Sequence, residues 1–246
     1  MNAKEKKKEQ KPRSEDSDVG TADLIRELGL AAPGTDFESD LQYISIIGSI
    51  EGHIALPMEN KTTKYEHLIP QLIAVEENPK LRGLLVILNT MGGDVEAGLA
   101  LAEMIATLSK PTVSLVLGGC HSIGIPLATA TDYSFIAGTA TMTLHPIRTT
   151  GLVITAETTF DYMRKTQDRV IDFIAGHSRA TRKRVTELMN CSDNMSNDVG
   201  TILFGKEAVD AGIIDAVGGV SQALGELRRR VAKVDELEKE ISISTD

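Results

Sequence analysis

Short apolar runs alternate with helically spaced apolar residues along most of the chain, and this alternation restricts the fold more than any other feature. The runs read as buried strands, and they cover residues 44–47, 84–88, 112–117, Tyr133–Ile136 and Thr141–Leu144. Helical spacing covers 62–77, 94–109, 122–130, 156–175, 179–190 and a final stretch that begins near Ser221. Strand–helix–strand alternation predicts an α/β fold with a mostly parallel sheet covered by helices.

The first 40 residues differ in composition from the rest. Residues 1–20 mix both charge signs without an apolar cluster, and 32–40 contain a Pro-Gly pair. We therefore expect 1–40 to be a disordered charged tail and linker, and 41–246 to be one domain. Within the tail, 21–31 has the spacing of a short amphipathic helix, which is either a docking element or a frayed segment.

The composition argues against several classes of protein. The 246 residues carry a formal net charge of −9, which disfavours a general nucleic-acid binder. The sequence lacks 18 consecutive apolar residues, so no membrane span is expected. The lysine-rich start has no apolar core of a secretory signal, and two cysteines give no disulfide framework. Together these features predict a location in the reducing cytoplasm.

Three loops follow apolar strands, and in a parallel sheet such loops meet at one edge. They are NTMGGD (89–94), GGCHSIG (118–124) and HPIRTTG (145–151). Ser122 follows a strand and a glycine pair at the predicted start of a helix, where backbone N–H groups are unpaired and favour negative charge. Ser122 is thus a candidate nucleophile, with the N–H groups of Ile123 and Gly93 as candidate donors to an oxyanion.

Each of these residues also has a simpler interpretation. A serine at a helix start is most often an N-cap. A Gly-Gly turn before a helix could hold phosphate, but the lysine of a phosphate-binding loop is missing. Cys120 and His121 provide too few ligands for zinc, and a small buried cysteine is the commoner case. The chain has five histidines, and His145, which ends a strand next to the serine loop, is the best candidate base. A histidine at a strand end is often structural. The other histidines are His53, His67, His121 and His177.

The motifs match, in order, those of the Clp protease proteolytic subunit family, peptidase family S14. NTMGG (89–93) resembles its asparagine-x-proline-glycine-glycine turn, GGCHSIG (118–124) its nucleophile loop, and TLHP (143–146) its histidine segment. EAVDAGIID (207–215) is similar to its closing motif, and the resemblance runs from about residue 44 to 217. It implies the Clp protease/crotonase-like fold of repeated β-β-α units with a protruding long helix. It also implies Ser122 as nucleophile, His145 as base, and Gly93 and Ile123 as oxyanion donors.

Some positions depart from the family pattern. Met91 replaces the turn proline, and the glutamine after the base histidine is missing. Counting back from Glu207 without gaps places Ser196 at the position of the triad aspartate. Asp198 and Asp193 both lie near it, and Asp198 needs the smaller shift, so it is the predicted acid. These departures indicate a divergent group of the family that is associated with protein export.

The resemblance further implies a serine endopeptidase that needs no metal or cofactor and cleaves peptides or unfolded proteins inside an oligomeric chamber. In the family the long helix, here about 156–175, interlocks two rings of seven subunits. A hexameric ATPase unfoldase is the family's usual partner, and the longer polar tail of this chain makes that partnership less certain.

Three other functions stay open from the sequence. The chain could be an inactive scaffold of the same fold that binds export-pathway proteins, which the poor match of the acid favours. It could be a signal-peptide peptidase with a Ser–Lys dyad, using Lys110 or Lys61. It could also be a crotonase-type protein that binds coenzyme A thioesters.

Overall fold

The computed structural model describes residues 39–148, 155–192 and 199–244. Its strands are β1 Leu41–Glu51, β2 Thr62–Lys64, β3 Gly83–Gly93, β4 Thr112–His121, β5 Tyr133–Ile136, β6 Thr141–Leu144, β7 Thr201–Phe204 and β8 Ala216–Val217. Its helices are α1 Tyr65–Glu77, α2 Val95–Ala106, α3 Gly124–Thr129, α4 Ala156–Gly176, α5 Arg182–Met189, α6 Gly205–Asp210 and α7 Val220–Ser244. Most of the predicted tail and its helix at 21–31 lie outside the described residues.

The strands form one sheet in the order β2-β1-β3-β4-β5-β8, and β6 joins it by pairing with β4. Every described pair is parallel except β6 with β7, which is antiparallel. This arrangement confirms the predicted α/β class with a mostly parallel sheet. The carboxyl ends of β3, β4 and β6 lie at one edge of the sheet, and the segments predicted as loops at 89–94 and 118–124 are mostly the last residues of β3 and β4.

The sheet buries two apolar cores, one on each face. The larger contains the buried faces of α1 to α5 against side chains such as Ile46, Leu88 and Val116. The smaller lies under α7, where Leu227 and Val231 pack on Leu85, Leu115 and Phe135. Each fully buried leucine contributes about 2 kcal/mol from the area that it removes from water.

Several element boundaries differ from the sequence prediction. β1, β3 and β4 are each longer than predicted, because the chain stays paired through Gly48, Gly92 and Gly119 instead of turning there. The apolar run at 213–217 has the pattern of a strand, but only Ala216 and Val217 form one, since Ile213 and Ile214 are buried in the core.

Helix α4 has two different halves. Val170 and Ile174 in its second half are buried, as predicted for its apolar stripe. Phe160 in the first half belongs by its helical spacing to the apolar stripe of 156–175, but its side chain is 67% exposed, and that of Tyr162 is 62% exposed. The first half of α4 therefore extends beyond the core of the protomer.

Candidate active site

Ser122 lies in the tight turn between β4 and α3. Its φ angle is 56°, and within the described ranges it is the single non-glycine residue with positive φ. A side chain in this left-handed region costs about 1–2 kcal/mol. The Ser122 N–H donates to the Thr143 carbonyl at 2.9 Å, and its own carbonyl accepts from the Ile125 N–H at 3.1 Å. A serine held in a strained bend between strand and helix has the geometry of a nucleophile elbow.

A bulge in β4 directs the chain toward this bend. Leu88 pairs with Val116 and Thr90 with Cys120, so that Asn89 alone lies opposite three residues of β4. Asn89 fills the gap, because its Oδ1 accepts the N–H of Gly119 at 2.9 Å. At this point β4 changes partner from β5 to β6. Bulges bend a strand and re-aim the side chains that follow, and this one brings Ser122 beside the end of β6.

The Gly92-Gly93 pair lies directly against the serine loop. A Cβ atom on Gly92 would come within 2.8 Å of the Ser122 Cβ, and a Cβ on Gly93 within 2.2 Å of the Ile50 carbonyl. No side chain fits at either position, so both residues have to be glycine.

The hydrogen bonds of this turn distinguish its N–H groups. The Gly92 N–H donates to Thr90 Oγ1 at 3.1 Å, and the Asp94 N–H donates to the Ile50 carbonyl of β1 at 2.9 Å. The N–H groups on both sides of Gly93 are thus held by acceptors within the turn and on β1. The backbone nitrogen of Ile123 lies nearby, 3.3 Å from where a Gly92 Cβ would be.

His145 follows the last residue of β6, two residues beyond the carbonyl that holds Ser122. Its Nδ1 lies 2.7 Å from the carbonyl oxygen of Pro146. Gly200 packs on the stem of the side chain, since a Cβ there would lie 3.0 Å from the His145 Cβ. The imidazole is thus fixed at its base by two neighbouring stretches of backbone.

Ser122 and His145 line one narrow pocket. Its other walls are almost entirely apolar: Val95, Ile123, Ile125, Leu144, Ile147, Val170, Ile174 and Met189. The pocket lies between the serine loop and the second half of α4. A bidentate ion pair fixes that half of the helix, with Arg169 at 2.7 and 3.1 Å from the carboxylate of Glu96 in the first turn of α2. The hydrogen bonds from Arg169 lower the pKa of Glu96.

Three of the other histidines lie outside the pocket and make contacts within their own elements. His177 ends α4, stacks on Phe173 and places Nδ1 2.8 Å from its carbonyl. His53 lies edge-on to Tyr65 at an exposed site. His67 is half-buried on α1, and its carbonyl accepts the side-chain amide of Gln71.

Cys120 and His121 directly precede the nucleophile in the chain, and neither lines its pocket. The His121 ring lies over Gly119, and its buried Nδ1 has no hydrogen-bond partner among the described residues. Burial, together with the charge of His145, lowers the pKa of His121. Cys120 is fully buried, and burial strongly raises the pKa of its thiol. This cysteine has the small-core role that the sequence favoured, because a buried neutral thiol is a poor nucleophile.

The lysines of the Ser–Lys alternative are poorly placed. Lys110 precedes β4, whereas Ser122 follows it, and ten strand residues span roughly 33 Å. Its Nζ donates to the carbonyls of Val75 and Asn78 at the end of α1, at 2.5 and 2.7 Å. Lys61 is exposed in the loop before β2. Neither position favours a lysine base.

The structure brings three of the predicted site residues, Ser122, His145 and Ile123, to one pocket, and the turn that contains Gly93 packs on the serine loop through Gly92. The predicted acid Asp198 and its alternative Asp193 lie outside the described residues, so that assignment stays a prediction. Sequence reasoning missed the part that Asn89 plays in the bulge. The signal was present, because an asparagine directly before a glycine pair often uses its side chain to hold neighbouring backbone.

Two further observations concern ligands and membranes. In the part of the chain that the structure describes, no three His, Cys, Asp or Glu side chains cluster as metal ligands would. The described helices include none that is both long enough and apolar enough to cross a bilayer.

Comparison with known proteins agrees with this geometry. The chain is 52% identical over 222 residues to the translocation-enhancing protein TepA of Halalkalibacterium halodurans, covering 90% of this chain and 87% of that protein. Its fold is similar to that of a ClpP1 mutant from Listeria monocytogenes, with a TM-score of 0.60 and 19% identity over 74% of this chain and 94% of that one. These matches confirm the predicted fold and the TepA-like group. A model of the Clp protease family matches residues 39–221, and the chain belongs to that family.

Proposed function

We propose that this chain is a serine endopeptidase of the Clp type, with Ser122 as nucleophile and His145 as base. The observation that carries the proposal is the strained Ser122 beside His145 in one apolar pocket. Strained backbone is seldom kept where it has no use. In the simpler interpretation, Ser122 caps a helix, but an N-cap has extended backbone, whereas Ser122 is left-handed and α3 begins two residues later.

The proposed reaction is acyl transfer. Nε2 of His145 takes the proton of the Ser122 hydroxyl as the oxygen attacks a peptide carbonyl. The N–H groups of Gly93 and Ile123 stabilise the negative charge on the carbonyl oxygen, a contribution of about 3–4 kcal/mol for a single donor in such sites. His145 then passes the proton to the leaving amine, and water releases the acyl group by the same route in reverse.

The pocket supports a preference in the substrate. Its walls present aliphatic side chains and a methionine beside Ser122, and the pocket is narrow. These walls favour an apolar residue on the acyl side of the cleaved bond. A charged residue there would lose its hydration without gaining a partner.

Assembly into a ring of subunits is part of the proposal. Phe160 and Tyr162 on the first half of α4 expose large apolar surfaces, which is typical of an interface. A closed chamber would keep an unselective site away from folded proteins. A link to export rests on the name of the TepA relative, and an ATPase unfoldase as partner stays a prediction from the family.

A fluorophosphonate probe tests the proposed activity, because it labels only an activated serine. We expect labelling of the wild-type chain, none of Ser122→Ala, and at least a hundredfold slower labelling of His145→Ala. The half-buried Ser178 offers a matched control, because it does not line the pocket and Ser178→Ala should leave the rate unchanged. Absence of labelling in the wild type would reject the peptidase and favour the inactive scaffold that binds export-pathway proteins.

A further inference from the structure

The ring of His145 has a backbone partner at its Nδ1 atom. The partner is the carbonyl oxygen of the next residue, Pro146, at 2.7 Å from Nδ1. That distance is short for a hydrogen bond from nitrogen to oxygen, whose usual length is about 2.9 Å. Among the residues that the structure describes, no carboxylate hydrogen-bonds this imidazole.

The chemistry of this contact determines which nitrogen carries the proton. A carbonyl oxygen only accepts hydrogen bonds, so Nδ1 must be the donor and carry the hydrogen. In the neutral ring Nε2 then has a free lone pair, which is what a general base needs. Setting the tautomer and the orientation of the ring is the task that a buried aspartate performs in a serine triad.

We propose that the Pro146 carbonyl is the positioning group of His145, so that the base depends on backbone in place of a carboxylate. The inference rests on the proposed function, since it concerns the same base. Two features make the contact durable. The proline ring fixes φ of residue 146 near −65°, and Gly200 packs against the Cα and Cβ atoms of His145.

The inference limits how much the rate can fall when the predicted acid is replaced. A triad that depends on its aspartate loses about 10⁴-fold in rate when asparagine replaces it, because the histidine adopts the wrong tautomer. If the Pro146 carbonyl sets the tautomer, the loss at Asp198 or Asp193 stays below tenfold. A neutral carbonyl stabilises the imidazolium less than a carboxylate does, so we also expect a slower enzyme than a complete triad would give.

The first experiment reads the tautomer directly and does not need activity. Long-range ¹H–¹⁵N spectra distinguish protonated from unprotonated imidazole nitrogens, and His145→Gln identifies the resonances. We expect the Nδ1–H form of neutral His145 in the wild type and in the double variant Asp193→Asn/Asp198→Asn. An Nε2–H form in either protein would overturn the proposal.

The second experiment follows fluorophosphonate labelling against pH. For Asp193→Asn and Asp198→Asn we expect less than a tenfold loss and the same midpoint of the pH profile as in the wild type. A loss of 10³-fold or more in either variant would reject the carbonyl and leave the peptidase standing. An unlabelled wild type would instead reject the peptidase, and the spectra would still decide the tautomer.

A series at residue 146 tests the positioning group itself. Pro146→Ala keeps a carbonyl on a freer backbone, and Pro146→Gly frees it further, so labelling should slow in that order and the Nε2–H fraction should rise. Pro57→Gly, in the turn before β2, is the matched control and should change neither. Equal rates and unchanged tautomers throughout the series would contradict the proposal.

Discussion

At the scale of single residues, the backbone conformation of Ser122 lowers the stability of the fold in return for the position of the proposed nucleophile. Its left-handed backbone costs about 1–2 kcal/mol for any residue with a Cβ atom, and glycine avoids most of that cost. We therefore expect the free energy of unfolding of Ser122→Gly, measured by urea denaturation, to be about 1 kcal/mol higher than that of Ser122→Ala. Both variants should lose labelling by the probe. Equal stability of the two variants would show that the bend is not strained.

His121 should make the stability of the chain depend on pH. Burial is the main cause of its lowered pKa, so the folded state takes up a proton less readily than the unfolded state does. Because the pKa is lower in the folded state, the contribution of His121 to the free energy of unfolding is complete above about pH 6.5, the ordinary pKa of histidine. This contribution decreases as the pH falls below about 6.5. It stops decreasing once the pH is below the lowered pKa of the folded state.

The variant His121→Gln, which cannot titrate, tests this prediction. Between pH 8 and pH 5 its free energy of unfolding should fall less steeply than that of the wild type, as measured by urea denaturation at each pH. Parallel curves for the two proteins would contradict a role for His121.

At the scale of elements, the bulge in β4 depends on one side chain. Asn89→Ala removes the acceptor of the Gly119 N–H, and we expect a loss of about 1 kcal/mol in stability. Labelling of Ser122 should slow at least tenfold, because small displacements of a reacting atom are costly.

Asn190→Ala serves as the matched control for the bulge. It removes a side-chain contact to the Thr186 carbonyl at the end of α5, at 3.0 Å. Its effect on stability should be similar, and labelling should be unchanged. Labelling that slows equally in both variants would mean that stability, not the bulge, governs the rate.

The elements also show how far the sequence could predict this molecule. The bounds of strands β5 and β6 were predicted to the residue, because an apolar run between turn residues depends only on neighbouring residues in the sequence. The bulge and the full length of β4 were not predicted, because pairing through its glycines depends on β3 and β6, which are distant in sequence. The sequence motifs contain Ser122 and His145, which line one pocket in the structure. The partner of His145 Nδ1 is a backbone atom that no side-chain pattern reveals.

At the scale of the whole molecule, α7 covers one face of the sheet. Leu227 is fully buried there, whereas Leu237 on the same helix is 49% exposed. We expect Leu227→Ala to lower the free energy of unfolding by about 2–5 kcal/mol, and Leu237→Ala by less than about 1 kcal/mol. Thermal or urea unfolding measures both, and similar losses would show that α7 is not packed as described.

Assembly is the property of the whole molecule that α4 is expected to control. Phe160→Glu should reduce the native mass measured by light scattering, because it places a charge in the proposed interface. Ile73→Glu changes a similarly exposed apolar residue on α1 and should leave the mass unchanged. A wild-type chain that is already monomeric would reject the ring.

Helix α7 also bears on how this fold can be exchanged with that of a relative. The match to the Clp protease family ends at residue 221, and α7 begins at Val220. Without α7, the side chains of Leu85, Leu115 and Phe135 would form an exposed apolar patch. Transplanting α7 onto a relative will therefore succeed only where that relative has an equally apolar face to receive it.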